Sequence, residues 1–119
     1  MSIEKIVEML DRDEEVLESY VLVREVKVLL QLGHPHFHPT IRIKLYRSNV
    51  VAGQPYHFEV SHYSHTPTQA GPYMTSRSFA ESEDGAIRRA ISTTTSFLKA
   101  AIREGLEPTE RWLVANEDF

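Results

Sequence analysis

The hydrophobic positions of the chain form two helical repeats with strand-like stretches between them. In residues 2–18, apolar side chains recur about every 3.6 positions, which predicts an amphipathic helix. Residues 82–104 carry the longest helical pattern, with Ser82 as a suitable N-cap and Gly105 as a suitable stop. The apolar stripe of this second helix, which we expect to face the core, contains Ala86, Ile87, Ala90, Ile91, Thr94, Phe97, Leu98, Ala101 and Ile102.

Alternating polar and apolar residues between the two helices predict up to four strands. The clearest alternation lies in residues 40–47, where aliphatic side chains face one side and Arg42, Lys44 and Tyr46 face the other. Valine-rich residues 20–31 favour a strand, although the first helix could instead continue through them and end at Gly33. The complete set of predicted strands is about 20–31, 40–47, 56–63 and 73–80.

This order of elements predicts an α+β fold. We expect an antiparallel sheet of three to four strands, with the N-terminal helix and the long C-terminal helix packed on one face. A length of 119 residues is typical of one domain, here residues 1–119. The tail, residues 106–119, carries Trp112, Leu113 and Val114 and is expected to dock on the body of the protein.

Composition restricts the class of protein. Hydrophobic residues make up 41% and charged residues 25% of the chain, which is typical of a globular protein. The chain has no cysteine, so disulfides and cysteine-ligated metals are excluded. No apolar run is long enough to cross a membrane, and the first residues lack the apolar core of a signal peptide. We therefore expect a soluble, cytoplasmic protein without a membrane partner.

Charge is distributed unevenly along the chain. The net charge is −4, from 13 basic and 17 acidic residues, yet Glu59 is the only acidic residue between positions 31 and 80. The same central segment contains all 6 histidines. The segment is therefore basic, histidine-rich and aromatic between two acidic flanks, although acidic helices beside a mildly basic sheet would explain this distribution equally well.

The polar face of the predicted sheet is the main candidate binding surface. It combines cations with histidine and tyrosine, and the candidate binding residues are Arg42, Lys44, Tyr46, His57, Tyr63 and Arg77. Aromatic residues beside cations favour a protein partner or a second copy of the chain as a homodimer. Nucleic-acid binding by the same face is the alternative, since such faces stack bases and neutralise phosphates, but the acidic pI of about 5.8 weakens it.

A histidine-rich loop, residues 33–39, is the candidate metal site. His34, His36 and His38 alternate with other residues, so in an extended segment their imidazoles would point the same way. Zinc or another divalent transition metal would accept such ligands, and no other cofactor is predicted. An exposed polar loop without metal, or a pH-sensing cluster, fits the same residues.

No catalytic motif supports an enzyme. His57 and Glu59 share a strand face, but acid–base chemistry would need a nucleophile or a second carboxylate, and the central segment offers almost none. Phosphate loops, nucleophile elbows and zinc-protease motifs do not occur. The sequence therefore favours a small non-catalytic binding or regulatory module.

Overall fold

The computed structural model describes all residues from Met1 to Phe119 and has the predicted α+β architecture. The two helices are α1 (Ile3–Arg12) and α2 (Glu83–Arg103), and a short 3-10 turn covers Glu110–Trp112. The strands are β1 (Tyr20–Leu29), β2 (Thr40–Ser48), β3 (Tyr56–Val60), β4 (His62–Ser64), β5 (Phe79–Ala80) and β6 (Leu113–Ala115). Neither helix is long and apolar enough to cross a membrane.

The strands form two antiparallel sheets. The larger sheet has the order β1-β2-β3-β5, and the smaller one pairs β4 with β6. Strand β1 is confirmed as a strand, so the alternative of a helix through residues 20–31 is wrong. A bulge between Leu22 and Arg24 interrupts its pairing with β2.

Both helices pack on the same face of the larger sheet. Ile41, Ile43 and Leu45 of β2 are fully buried there and belong to one core cluster with Leu98 of α2. Glu4 of α1 reaches Arg47 on this face, with 3.3 Å between the carboxylate and the guanidinium. The opposite face of the sheet carries neither helix.

Helix α2 begins and ends as predicted. The Ser82 side chain accepts a hydrogen bond from the backbone N–H of Gly85, which is N-capping geometry. Gly105 adopts a φ of 86°, the left-handed conformation that terminates helices. The prediction that Phe97 belongs to the core is wrong, because Phe97 is 38% exposed and packs at the flank against Tyr73, with ring centroids 5.2 Å apart.

Helix α1 is shorter than the predicted 2–18. It ends at Arg12, and Leu17, an apolar residue within the predicted range, is 95% exposed. The Asp13 side chain accepts a hydrogen bond from the Glu15 backbone N–H at 2.9 Å. This local turn competes with a further helical turn, and the acidic residues here oppose the negative end of the helix dipole.

Two predicted strands are also corrected. The stretch 56–63 is divided at Ser61, where the chain leaves β2 and begins to pair with β6 as β4. The stretch 73–80 is mostly loop, since only Phe79 and Ala80 pair with β3. The tail docks as predicted: Trp112 is buried in the core cluster and β6 pairs with β4.

Candidate binding face

The strict alternation of β2 separates the larger sheet into a covered face and an open face. Its aliphatic residues point to the helices, so Arg42, Lys44 and Tyr46 point the other way. The register brings Leu22 opposite Tyr46 and Tyr46 opposite His57. We use the name open face for the surface that contains Tyr20, Leu22, Glu25, Lys27, Leu29, Arg42, Lys44, Tyr46, His57, Glu59 and Phe79.

One end of the open face is an aromatic patch, formed by Tyr20, Leu22, Tyr46, His57 and Phe79. The His57 ring lies at its centre, with its centroid 5.3 Å from Tyr20, 5.9 Å from Tyr46 and 4.7 Å from Phe79. Tyr20 and Tyr46 meet edge to face at 6.3 Å. Leu22 is 51% exposed beside them. The patch thus presents apolar surface to solvent.

His57 acts in the patch as a neutral aromatic ring. Its side chain is only 17% exposed, and its Nδ1 is buried without a hydrogen-bond partner. Burial lowers the pKa of His57 below the ordinary 6.5, and this effect outweighs the opposing influence of Glu59, whose Oε1 lies 4.0 Å from Nε2. At neutral pH the ring therefore adds apolar surface rather than charge.

The charges of the open face are of both signs. Glu25 lies 3.7 Å from Arg42, and Glu59 is the register partner of Lys44. Burial and then the Glu59 carboxylate raise the pKa of Tyr46 above 10.0, so its phenol stays neutral. The surface is therefore less basic than the count of cations in the central segment suggests.

The C-terminal residues reach the open face from the side of β6. Asn116 fixes them, because its backbone N–H donates to the Ser61 carbonyl and its side-chain amide donates to the Val60 carbonyl, both at 2.8 Å. The chain then brings the Phe119 ring to 4.2 Å from the Lys44 ammonium, a cation–π contact. Lys44 is therefore engaged within the chain.

The remaining two predicted binding residues lie outside the open face. Tyr63 is in β4, paired with Val114, and burial followed by the charges of Asp118 and Glu59 raises its pKa. Arg77 lies in the loop before β5, and with Arg89 it lines a separate shallow pocket. The structure thus brings together Arg42, Lys44, Tyr46 and His57 on the open face, places Tyr63 on the neighbouring small sheet in the wall of a pocket shared with His57, and leaves Arg77 apart from both.

A pocket of about 290 Å³ lies beside the edge of β3, where most of the expected strand 73–80 is a loop. His57 and Glu59 of β3, Tyr63 of β4 and Thr93 of α2 contribute to its wall. Its only close pair of titratable groups is the His57–Glu59 contact already described. The wall is part apolar and part polar, which suits contact with a partner's side chain.

Two of the three histidines of the metal candidate, His34 and His38, make polar contacts around the loop through their imidazole rings. The ring nitrogens of His38 lie 3.3 Å from the carbonyl oxygens of Leu30 and Pro35. The Nδ1 of His34 accepts a hydrogen bond from the His36 backbone N–H, and its Nε2 is 3.4 Å from Glu107. No group of three or more histidine, aspartate or glutamate side chains in the chain is arranged to hold a metal ion.

Several residues of the open face escaped the sequence analysis. The sequence predicts a strand that contains Tyr20 and Leu22, but it does not predict which face of the sheet their side chains occupy. The bulge after Leu22 shifts the alternation of faces by one residue. Phe119 is distant in sequence from every strand of the larger sheet. The alternation of Tyr20 and Leu22 with valine was the one local signal that could have found them.

No family model matches the chain, and no curated protein or solved structure is significantly similar to it.

Proposed function

We propose that this protein is a binding module that docks a protein partner on the open face of its larger sheet. The observation that carries the proposal is the aromatic patch, which leaves Leu22 and Tyr20 exposed on a face that no helix covers. Exposed apolar surface is unfavourable in water, and contiguous patches of it on folded proteins mark interaction sites.

The chemistry of the patch favours a protein partner. Tyrosine and other aromatic side chains are enriched at the centres of protein interfaces, where their rings are buried and their polar ends still find partners. Tyr20 and Tyr46 fit this description, since both carry hydroxyl groups at the margin of an apolar cluster. The neutral state of His57 supports it further, because burying an uncharged ring costs less than burying an imidazolium.

The charged rim around the patch argues against a nucleic acid as the partner. Glu25 and Glu59 alternate with the cations of the face, and Arg42 and Lys44 already have contacts within the chain. Phosphate binding requires cations that are free to replace counterions. Carboxylates beside those cations would repel a phosphate backbone, whereas a protein surface can match both signs.

Site-specific photo-crosslinking in cells that produce the protein tests the proposal. A photoreactive residue at Leu22, which is 51% exposed, lies in the patch, and the same residue at Leu17, which is 95% exposed, lies outside the sheet. We expect a discrete adduct from position 22 that position 17 does not give. The adduct should disappear when Tyr46→Ser is introduced as well, because this change removes a central ring of the patch.

The mass of the adduct identifies the partner. An adduct that contains peptides of another protein indicates a foreign partner. An adduct with twice the mass of the chain and peptides of this chain alone indicates a second copy on the open face. Equal labelling from positions 17 and 22 would contradict the proposal. Thermal unfolding of each variant provides the control that the fold is retained.

A further inference from the structure

Strand β1 forms one edge of the larger sheet. It is 10 residues long and pairs only with β2. Such an edge presents backbone N–H and C=O groups that can pair with another strand. Proteins commonly protect long edge strands with charged side chains, and β1 carries such side chains. Their arrangement determines whether they prevent pairing with any strand or permit pairing with one strand of complementary charge.

The hydrogen bonds of β1 show which backbone groups face outward. The backbone N–H of Leu30 donates to the Pro39 carbonyl at 2.8 Å, so the backbone groups of Leu30 point towards β2. In an antiparallel ladder the direction alternates from residue to residue. Val26 and Val28 therefore also point towards β2, and Glu25, Lys27 and Leu29 direct their backbone groups to the free edge.

Lys27 lacks a partner of opposite charge within the chain. Its register partner on β2 is Arg42, a like charge, and it takes part in no ion pair. Like charges opposite one another destabilise a sheet. Glu25, two residues away on the same face, is 37% exposed at its side chain while it contacts Arg42 at 3.7 Å. An unpaired cation thus lies beside a carboxylate that is open to solvent.

We propose that two copies of the chain join antiparallel through their β1 edges, with Val26 on the two-fold axis. Glu25 of each copy then lies opposite Lys27 of the other. Residues opposite one another share a face and, because both have outward-facing backbone groups, they exchange two hydrogen bonds. The arrangement supplies Lys27 with the carboxylate that its own chain does not provide.

Charge selects this register over its neighbours. Moving the axis by one residue to Glu25 would oppose two carboxylates, and moving it to Lys27 would oppose two ammonium groups. An axis that passes between two residues would place a residue with outward-facing backbone groups opposite one with inward-facing groups. Such a pair cannot exchange backbone hydrogen bonds. The bulge between Leu22 and Arg24 limits the pairing at its ends.

The resulting dimer has one continuous sheet of eight strands. The two-fold axis is perpendicular to the sheet, so both open faces lie on the same side and both α2 helices lie on the other. This inference does not depend on the proposed function, because pairing uses the edge of the sheet and leaves the aromatic patch free.

Charge exchange tests the pairing. We expect Lys27→Glu to weaken the dimer by roughly tenfold or more in sedimentation equilibrium, because two attractive contacts become repulsive. Glu25→Lys should weaken it similarly. An equimolar mixture of the two single variants should dimerise again, since each position then meets an opposite charge. Lys5→Glu on α1 makes the same change in net charge away from the edge and should leave the dimer intact.

A single cysteine tests the register. The chain contains no cysteine, so Val26→Cys introduces one unique thiol. Residues opposite one another in this position have Cα atoms about 4.5 Å apart, within the range of a disulfide. Val28→Cys is the matched control, because its two copies would lie roughly 13 Å apart along the strands. Mild oxidation should crosslink the first variant and not the second.

The wild-type chain decides the proposal independently of these variants. A monomer at all concentrations up to the millimolar range, or crosslinking at Val28 and not at Val26, would overturn it. A dimer unaffected by Lys27→Glu, but lost in Tyr46→Ser, would also overturn it and would instead place the second copy on the open face.

Discussion

At the scale of single residues, adjacent apolar residues on the predicted stripe of α2 differ in burial. Leu98 is fully buried between α2 and the sheet, whereas adjacent Phe97 lies at the flank of the helix. Both fall within the apolar arc of a helical wheel, and only the width of the sheet decides which one is covered. Periodicity alone therefore could not place the edge of the core.

Alanine substitution at these two positions should give different losses of stability. We expect Leu98→Ala to lower the free energy of unfolding by about 2–5 kcal/mol, since it leaves a cavity in a closely packed core. Phe97→Ala should lower it by only about 1 kcal/mol, because the ring is partly solvated and mainly contacts Tyr73. Urea denaturation measures both, and equal losses would contradict the assigned edge of the core.

His57 should make stability depend on pH. Because its pKa is lowered in the folded state, the unfolded chain binds the proton more readily, and the free energy of unfolding should fall as the pH drops below about 6.5. His57→Phe should remove this part of the fall while it preserves the aromatic patch. His36→Phe, at an exposed position of the histidine loop, is the control and should retain it. Urea denaturation between pH 5 and 8 measures the difference; identical curves for the wild type and His57→Phe would contradict the role of burial.

At the scale of elements, the sequence was most informative where a pattern was long and its ends carried caps. Helix α2 and strand β2 were predicted almost to the residue. Ser82 and Gly105 mark the ends of α2, and strict alternation of polar and apolar residues identifies β2. Errors occurred where side chains compete for backbone hydrogen bonds. Asp13 turns the chain after α1, and the Thr75 hydroxyl accepts a hydrogen bond from the Arg77 N–H within the expected strand 73–80.

The pairing of β4 with β6 depends on contacts between distant parts of the chain. A short tail with Trp112 predicted docking but not a strand, because three residues carry too little pattern to identify one. The open face was likewise only half predicted. The residues of β2 and β3 followed from alternation, whereas the contribution of β1 depends on the bulge and that of Phe119 on tertiary contact.

Asn116 should be the residue that holds the tail in place. We expect Asn116→Ala to lower the free energy of unfolding by about 1–2 kcal/mol, because the Val60 carbonyl loses its donor in a part-buried position. Hydrogen exchange at Leu113–Ala115 should accelerate more than exchange in β2. Glu117→Ala, one residue further along and exposed, should change neither quantity. Unchanged exchange in Asn116→Ala would show that β6 is held by other contacts.

At the scale of the whole molecule, the helices cover one face of the larger sheet and leave the open face exposed. The chain measures 53 × 25 × 23 Å, and its core lies between α2 and one face of the larger sheet. The other face combines an aromatic patch with charges of both signs. An antiparallel sheet can pack one face on the core and leave the other in water, so the exposed aromatic rings are available for association.

The histidine loop and the uneven charge have structural explanations at this scale. The ring nitrogens of His38 lie 3.3 Å from two backbone carbonyl oxygens of its loop, and Glu4 pairs with Arg47 across the junction of α1 and β2. The acidic flanks thus compensate part of the central positive charge within one chain. With this compensation, the aromatic patch rather than a net positive charge distinguishes the open face.

The most direct test of the account compares side-chain accessibility in cells and in purified protein. Hydroxyl-radical footprinting read by mass spectrometry reports Leu22 and Tyr46 in the patch together with Leu17 and Met9 outside it, and Leu22, Leu17 and Met9 are all exposed in the isolated chain. A docked partner predicts that labelling of Leu22 and Tyr46 falls several-fold in cells while Leu17 and Met9 are labelled as before. Labelling of the patch that is as strong in cells as in the purified protein would contradict the claim that the open face binds a protein.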